Sequence, residues 1–435
     1  GVREELGGEG GSDFIVVGVY DAADAQQRLA AQARKALSPP IRLTTSIEEV
    51  EGQRVVIARV PERSSEMKPC RVEIDGKAYL RSYDGDYPLS EQETAALEAV
   101  RTAPRFDREA VPDSSREDLD QELVALYVGR CRARSPRLSS LTDDEILRQT
   151  RVVTPDGRLT VAGVYALGKY PQYFFPTLSV TARLAPRASD PPGTRSGDIA
   201  HFDGPLTELL TQTMAWVSRN TGTRVRFGTD GHGRDEPAYP AEAVRELVAN
   251  ALIHRDLGPH ALGDRVHVVL KEDRLILTNP GGLCGVTVEQ LGVRVGGSAR
   301  NQSLYDIAKD LRTPDGRRVI EGVGSGIIAA SEALRDAGMT EPAFLDSAIR
   351  FSATVPQHAL LDEADIRWLA GLPNAQGLTD AQRHVLATMR HGKEWTNGSL
   401  RGFLPMDSTK ARRLLTNLAE RDLAVAEGEG RGRKY

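Results

Sequence analysis

Residues 245–256, RELVANALIHRD, place two polar side chains inside an apolar helical pattern. Glu246 and Asn250 are four residues apart, so on a helix they share one face. Apolar residues cover the other side: Val244, Leu247, Val248, Ala251 and Leu252. A helix with this pattern has to pack its apolar side into a core, and it then presents a carboxylate and a carboxamide at one edge.

Two glycine-rich segments follow this helix at points where the structural pattern changes. Residues 279–282, NPGG, end the apolar strand pattern RLILTN, and residues 322–326, GVGSG, precede an apolar helical pattern. Glycines let a base approach the backbone, and the N–H groups at a helix N-terminus cradle phosphate. A carboxamide oxygen can bind Mg²⁺, and a carboxylate can orient or deprotonate water. Together the segments predict a site for a nucleotide and its Mg²⁺.

Each element also has a simpler interpretation. A Glu and an Asn at the edge of a core helix are often solvated side chains, and NPGG alone is a turn. The glycine loop does not follow a strand in a βαβ unit with an acidic partner, so a Rossmann site is not favoured. The order and spacing of the three elements favour the nucleotide site over these alternatives.

The composition of the 435-residue chain bounds its class. Hydrophobic residues make up 40% and charged residues 27%, as in soluble globular proteins of about three domains. The net charge of −5 gives no overall attraction to nucleic acid, so any such contact needs a local basic patch. The three cysteines are far apart, which predicts no disulfide framework or metal site and favours a cytoplasmic location.

No run approaches the roughly 18 apolar residues of a membrane span, and no signal-peptide pattern is present. We therefore expect no membrane association. The first residue is Gly rather than Met, so a tag remnant or a partial chain is also expected.

The pattern along the chain predicts a multidomain α/β and α+β protein. Strand and helix signals alternate early, two helical patterns follow, and helices and strands then interleave as an α/β sandwich. Pro104 to Ser115 resembles a linker, and residues 187–200, rich in Pro, Gly and Ser, predict a mobile loop. The predicted domains are 1–103, an α+β domain; 116–170, a helical connection; 171–360, a nucleotide-binding α/β domain; and 376–435, a DNA-binding domain.

Residues 376–435 contain three helical patterns and a short hairpin-like tail, the arrangement of a winged helix-turn-helix. Residues 408–421 form the expected recognition helix, with Leu414, Leu415 and Leu418 buried. Cations of this helix and of the tail are the expected DNA contacts: Lys410, Arg412, Arg413, Arg421, Arg431, Arg433 and Lys434. The alternative is a winged helix used for dimerisation, and Glu427 and Glu429 weaken the DNA interpretation.

Several segments of the chain together resemble those of a known family. NALIHRD, NPGGL and EGVGSGI follow the order of the GHKL ATPase fold, and LTVAGVYALGKYPQYFFP, ARNQSL and GGSDFIVVGV extend the similarity. The combination resembles bacterial ATP-binding proteins with an N-terminal Schlafen/AlbA-type domain and a "RecG-like" C-terminal module. The resemblance implies a Schlafen/AlbA-like α+β domain, a GHKL-like α/β sandwich and a C-terminal winged helix.

The resemblance also assigns roles to residues. It implies that Glu246 activates water and that Asn250 is the Mg²⁺ ligand. Adenine would be contacted by Asn279, where the fold usually has Asp, with Gly281 and Gly282 beside it. The phosphate loop would consist of Gly322, Gly324 and Gly326. Arg300, in RNQ where the family has RNP, would either reach a phosphate or lie on the surface.

Schlafen-type relatives bind nucleic acid through the N-terminal domain, and some cut it with clustered carboxylates. Here the helix that would carry them is reduced to GVREELGGEGG, whose Glu4 and Glu5 are expected to be disordered, so nuclease activity is not favoured. Cations and an aromatic side chain later in the domain either line a nucleic-acid surface or are solvated and packed on the sheet: Lys68, Lys77, Tyr79 and Arg81.

The sequence and the resemblance thus predict a cytoplasmic, homo-oligomeric, ATP-binding and DNA-binding regulator of transcription. Mg-ATP is expected to modulate its DNA affinity or assembly, with at most weak ATPase activity. A motor helicase is excluded because G-x-x-x-x-G-K-[ST] does not occur. Two alternatives remain: a Schlafen-like nuclease or ATPase in nucleic-acid defence, and an interaction scaffold whose nucleotide site is degenerate.

Overall fold

A computed structural model describes most of the chain. The described residues are 2–7, 11–81, 86–101, 105–186, 197–221, 223–227, 233–261, 263–293, 299–320, 324–337, 339–347, 349–357, 363–403, 406, 408–428 and 433–435. The chain divides into two compact units, one of residues 102–360 and one of residues 1–101 with 361–435. It is a mixed α/β protein. No helix in the described part is both long and apolar enough to span a membrane.

The N-terminal segment consists of short antiparallel strand pairs and two helices. Its strands are β1 Val2–Gly7, β2 Gly11–Val16, β3 Leu37–Ser38, β4 Thr44–Val50, β5 Gln53–Arg59, β6 Arg71–Val72, β7 Tyr79–Arg81 and β8 Asp86–Pro88. Its helices are α1 Ala22–Lys35 and α2 Glu91–Val100. The pairs are β1 with β2, β3 with β6, β4 with β5, and β7 with β8.

The expected disorder of Glu4 and Glu5 is wrong, because both lie in β1. Glu4 pairs with Phe14 and Glu5 with Asp13 of β2. The strand-forming run of β2 offers an edge of backbone groups, and pairing with the preceding residues satisfies those groups.

The unit of residues 102–360 contains eight helices and eight strands among its described residues. The helices are α3 Gln121–Arg134, α4 Pro136–Ser139, α5 Asp143–Gln149, α6 Val161–Leu167, α7 Leu206–Asn220, α8 Ala241–His254, α9 Gln302–Asp310 and α10 Gly326–Asp336. The strands are β9 Val180–Leu184, β10 Ile199–Phe202, β11 Thr223–Phe227, β12 Gly233–Pro237, β13 Val266–Leu270, β14 Arg274–Pro280, β15 Ala343–Ser347 and β16 Arg350–Pro356.

Six of these strands form one mixed sheet in the order β10-β9-β13-β14-β16-β15. The pair β9 and β13 is parallel, and the other neighbours are antiparallel. Helix α8 packs on β14 and lies against both α7 and α10, so these helices form a layer on the sheet. The predicted interleaving of helices and strands is confirmed as a helix layer on a sheet.

The alternation along β14 decides where its last polar residue points. Leu275, Leu277 and Asn279 are buried, while Arg274, Ile276 and Thr278 are less so. Because successive side chains of a strand point to opposite faces, Asn279 shares the buried face with the two leucines. The end of β14 therefore presents an amide toward the helix layer.

The helices of residues 116–170 share one hydrophobic core with the sheet. Tyr127, Ile146 and Tyr165 are buried in the same cluster as residues of β13 and β14. Helix α5 begins with the predicted capping box, in which the Thr142 side chain accepts from the backbone N–H of Glu145. This part of the chain thus supports the sheet domain from within the same core.

Two segments that the sequence predicts to be irregular are partly ordered in the structure. In the segment treated as a linker, Asp107 is 1% exposed and accepts hydrogen bonds from the backbone N–H groups of Ser303 (2.6 Å) and Leu304 (3.2 Å). It therefore satisfies free donors in the first turn of α9. The predicted loop of 187–200 includes the start of β10, which pairs with β9; residues 187–196 lie outside the described residues.

The described part of the C-terminal segment contains four helices: α11 Glu363–Gly371, α12 Asp380–Arg390, α13 Asn397–Phe403 and α14 Ser408–Glu420. The last three confirm the three predicted helical patterns. They close around a separate apolar cluster that includes Trp395, Leu415 and Leu418. A bridge between Glu427 and Lys434 joins the two arms of the tail.

Candidate functional site

A cavity opens between the helix layer and the end of β14. Its volume of about 180 Å³ is more than ten times the roughly 15 Å³ that one water requires. Seven predicted site residues line it, from α8, from β14 and the turn after it, and from the segments that lead into α9 and α10: Glu246, Asn250, Asn279, Gly282, Arg300, Gly324 and Gly326. Segments that are separated in sequence therefore converge on one pocket.

The Glu246 carboxylate is buried at the meeting point of α8 and α10. Its side chain pairs with the guanidinium of Arg245, the preceding residue on α8. A Cβ atom at Gly326 would lie 2.6 Å from Oε2 of Glu246, closer than atoms can approach. The absence of a side chain at residue 326 is therefore what allows this carboxylate to reach the start of α10.

Asn250 lies one helical turn further along α8, at the same junction. Its Nδ2 atom is buried and makes no hydrogen bond within the described part of the chain. That atom is 3.3 Å from the position of a Cβ at Gly326. A buried amide without a partner costs free energy unless a ligand or water satisfies it, so this wall of the pocket suits a polar ligand.

The first turn of α10 supplies backbone donors to the cavity. Gly326, Ile327 and Ile328 line it, and the Ser325 side chain makes no capping hydrogen bond. The N–H groups of a first helical turn lack acceptors within the helix, so they are placed for an anion. Gly324 has φ = +73°, a conformation that glycine adopts without strain. Gly322 lies outside the described residues.

The turn after β14 is fixed by its neighbours. Gly281 has φ = +84°, and a Cβ there would lie 2.6 Å from the Cβ of Asp256. Its N–H donates to the carbonyl of Ile349 at 2.8 Å. Gly281 thus supports the turn from behind, while Asn279 and Gly282 line the cavity.

Arg300 is a buried member of the site, so the alternative of a surface arginine is wrong. Its side chain is 4% exposed, and Nη1 lies 2.9 Å from Oδ2 of Asp256. Nη2 donates to the carbonyl of Gly282 at 2.7 Å. Asp256 and this carbonyl offset the free-energy cost of burying the guanidinium charge.

His254, at the end of α8, also lines the cavity. Its ring centroid is 6.2 Å from that of Tyr305. Burial lowers the pKa of His254 to about 4, and the positive charge of Arg300 acts in the same direction. The imidazole is therefore neutral at pH 7, as suits a side chain that packs in the pocket wall.

Four residues beside the pocket were not singled out by the sequence as parts of it. Arg245 pairs with Glu246, and Asp256 pairs with Arg300. Asn301 donates to the carbonyls of Ile253 (2.8 Å) and Arg255 (2.7 Å), which ends α8. The fully buried Arg255 donates to two further carbonyls. The sequence could have indicated Arg245 as part of the site only because it is adjacent to Glu246. The roles of Asp256, Asn301 and Arg255 depend on contacts between residues that are distant in sequence.

The predicted DNA contacts of α14 lie on its outer face. Lys410, Arg412 and Arg413 are exposed, while Leu415 and Leu418 are buried on the opposite side. Arg421 follows the helix and donates to the carbonyl of Gln376 at 2.9 Å, so it fixes a loop and is not part of this face.

The tail cations are partly engaged within the chain. The Lys434 ammonium lies 2.7 Å from Oε2 of Glu394, with both side chains more than half exposed. The Arg433 guanidinium lies 5.4 Å from the ring centre of Tyr435. Arg431 lies outside the described residues.

In the N-terminal segment, the cations and the aromatic residue differ in their contacts and exposure. Lys68 pairs with Glu62 at 2.6 Å, and the Tyr79 hydroxyl donates to Asp75 at 2.6 Å. Tyr79 is 42% exposed and so does not pack under the sheet. Lys77 is exposed, and the side chain of Arg81 lies outside the described residues.

Part of the sheet domain matches a known protein family. Residues 263–355 match a family model of the HATPase type, described as "Putative ATP-dependent DNA helicase recG C-terminal". The chain carries an ATPase-type domain. The match covers about a fifth of the chain and runs from the start of β13 into β16, including Asn279, Arg300 and α10. Helix α8, with Glu246 and Asn250, precedes it.

Among solved structures, the chain is similar to the DIP2311 protein from Corynebacterium diphtheriae, a structural-genomics target. The two are 18% identical with a TM-score of 0.44, over 94% of this chain and 78% of that one. No curated protein matches the chain.

Proposed function

We propose that the cavity between α8 and α10 binds ATP together with Mg²⁺. The observation that carries this proposal is the junction of Glu246, Asn250 and Gly326, where the glycine lets a buried carboxylate and a buried amide without a hydrogen-bond partner among the described residues meet the first turn of α10. The ATPase-type domain match over residues 263–355 supports the same ligand.

Within this proposal the phosphates lie at the first turn of α10, whose N–H groups face the cavity. The side-chain amide of Asn250 would hold Mg²⁺ through its oxygen, with the remaining positions filled by phosphate and water. The bound Mg²⁺ would neutralise phosphate charge. Asn279, at the end of β14, would contact the base, and Arg300 would add positive charge to the pocket wall.

Within the same proposal, Glu246 would orient a water toward the phosphates. Its pairing with Arg245 competes with water for the carboxylate, which favours slow turnover. Slow turnover suits a protein in which bound ATP acts as a switch rather than as fuel for a motor.

We further propose that the C-terminal segment is a winged helix that binds DNA and that the protein is a homo-oligomeric regulator. The exposed cations of α14, set opposite a buried apolar face, support this role. Phosphate contacts by such cations give salt-dependent binding. Mg-ATP would then modulate DNA affinity or assembly through two states that differ in nucleotide affinity.

Titration calorimetry with Mg-ATP tests the nucleotide site. We expect binding by the wild type and a loss of at least tenfold in affinity for Asn250→Ala. Glu242→Ala, an exposed residue on the same helix, is the matched control and should bind as the wild type does. Absence of binding by the wild type would overturn the proposal in favour of a scaffold.

DNA binding is tested separately in the full chain by a gel-shift titration over a range of salt concentrations. Arg412→Ala/Arg413→Ala should weaken binding and reduce the salt slope by about two, one for each lost phosphate contact. The control Arg219→Ala/Arg335→Ala removes two exposed cations from α7 and α10. Equal effects of both pairs would contradict the role of α14, and metal-dependent cleavage of the DNA would instead favour a nuclease.

A further inference from the structure

Four arginines that the nucleotide site does not use converge on one surface of the ATPase unit. Arg130 and Arg134 are one turn apart on α3, so they share a helix face. Nη2 of Arg134 lies 3.2 Å from Oδ2 of Asp310, which brings this face to the end of α9. The chain there turns back on itself, and a bridge pairs Arg312 with Arg318. We call Arg130, Arg134, Arg312 and Arg318 the arginine patch.

The arginine patch has an excess of positive charge. Burial lowers the pKa of Arg312, repulsion from Arg130 and Arg318 lowers it further, and Asp310 acts in the opposite direction. Asp310 is the acid that Arg134 contacts, and it is 8% exposed. Like charges held together cost free energy in the free protein, and a polyanion would offset that cost.

The members of the patch differ in how they are held. Arg312 donates through Nη1 to the carbonyls of Leu311 (2.9 Å) and Lys309 (3.2 Å), so it also fixes the turn. Arg134 is half exposed even while it pairs with Asp310, and Arg318 is exposed. The patch therefore has a fixed base and guanidinium groups that reach solvent.

We propose that the arginine patch binds the phosphate backbone of a nucleic acid. Guanidinium groups match phosphate in geometry, with two parallel N–H donors, and remain charged at every physiological pH. The inference deepens the proposed DNA-binding function and rests on it, because it places a second set of phosphate contacts on the unit that holds the nucleotide cavity. It is separate from the basic face of α14.

The test compares three variants of the full chain: Arg130→Gln/Arg318→Gln, the α14 variant Arg412→Ala/Arg413→Ala, and the charge-matched control Arg219→Gln/Arg335→Gln. Arg134 and Arg312 are kept because they make structural contacts. Fluorescence anisotropy measures binding of a labelled DNA duplex and of a single-stranded RNA against salt concentration. We expect the patch variant to bind at least tenfold more weakly at about 0.1 M salt, with a salt slope smaller by about two.

Calorimetry with Mg-ATP on the same variants checks that the cavity is intact. The patch variant should keep the wild-type affinity for Mg-ATP. In the anisotropy measurements, a preference of the wild type for DNA or for RNA shows which nucleic acid supplies the phosphates. If the patch variant binds DNA and RNA as the control does, while the α14 variant binds neither, this inference is wrong and the proposed function stands. No binding of either nucleic acid by the wild type overturns both. Loss of binding to anionic lipid vesicles alone would assign the patch to a membrane surface and also overturn the inference.

Discussion

The carboxylate of Glu246 occupies the space that a side chain at residue 326 would need. Oε2 of Glu246 lies 2.6 Å from the position of a Cβ at Gly326, although the two residues are on different helices. This close approach places an acid, an amide and the first turn of α10 within one small region of the cavity.

Gly326→Ala should therefore impair the cavity more than the fold. The added methyl group forces the end of the Glu246 side chain to move, whereas alanine is itself favourable in a helix. We expect the free energy of unfolding to change by less than about 1 kcal/mol, and the Kd for Mg-ATP to rise at least tenfold, which is about 1.4 kcal/mol. Calorimetry and urea unfolding measure the two effects. Gly129→Ala on α3, with open space around its Cβ, is the control, and an equal loss of affinity there would contradict the argument.

The pair of Arg300 and Asp256 should contribute strongly to stability. Both side chains are largely buried, so Arg300→Met leaves a carboxylate without its partner and should lower the free energy of unfolding by about 3 kcal/mol. The double variant Arg300→Met/Asp256→Asn should recover much of that loss. Urea unfolding measures both changes. Arg335→Met breaks an exposed pair with Glu341, which solvent screens, and should cost much less than Arg300→Met; a similar cost at both sites would refute the difference.

Asn279→Asp should sharpen the choice of base if the amide contacts a purine. An amide both donates and accepts, so it can face either a 6-amino or a 6-oxo group. A carboxylate accepts hydrogen bonds and repels a 6-oxo group, so the ratio of ATP to GTP affinity should rise about tenfold. Calorimetry in which GTP is displaced from the cavity by ATP, or ATP by GTP, gives this ratio. Thr278→Val, on the opposite face of β14, should leave it unchanged, and an unaltered ratio in Asn279→Asp would place the base elsewhere.

Stability of the ATPase unit should fall when the pH drops below 6.5. Native His254, with a pKa of about 4, stays neutral between pH 6.5 and 4, whereas the unfolded side chain takes up a proton near pH 6.5. The unfolded state therefore binds more protons in this window, and the free energy of unfolding decreases by at most about 3 kcal/mol as the pH falls. Above pH 6.5 the contribution is constant.

Urea unfolding of the wild type and His254→Gln between pH 7 and 5 measures this decrease, which should be smaller in the variant. His384, whose pKa burial also lowers to about 4, belongs to the other unit, so His384→Gln should leave the His254 contribution in place. An identical pH dependence in wild type and His254→Gln would contradict the assignment.

The local parts of the site could be predicted because their patterns repeat over a few residues. The four-residue spacing placed Glu246 and Asn250 on one face of α8, and the alternation of β14 carries Asn279 to the same side as Leu277. The glycines before α10 indicated where backbone donors would be free. These signals depend on helix and strand geometry alone.

The remaining features depend on contacts between distant residues. Asp107 was assigned to a linker, yet it satisfies the start of α9 across 196 residues of sequence. Arg300 could not be placed because its burial depends on Asp256 and on the carbonyl of Gly282, which the fold brings to it. A one-dimensional pattern contains no information about such partners.

The side chain of Arg245 has a consequence for how the cavity communicates. Through one end it pairs with Glu246, and through Nη1 it donates to the carbonyls of Arg318 (2.8 Å) and Val319 (3.4 Å). A ligand that draws Glu246 away from Arg245 alters what holds this stretch of backbone. One guanidinium thus braces both the wall of the pocket and the backbone of a nearby turn.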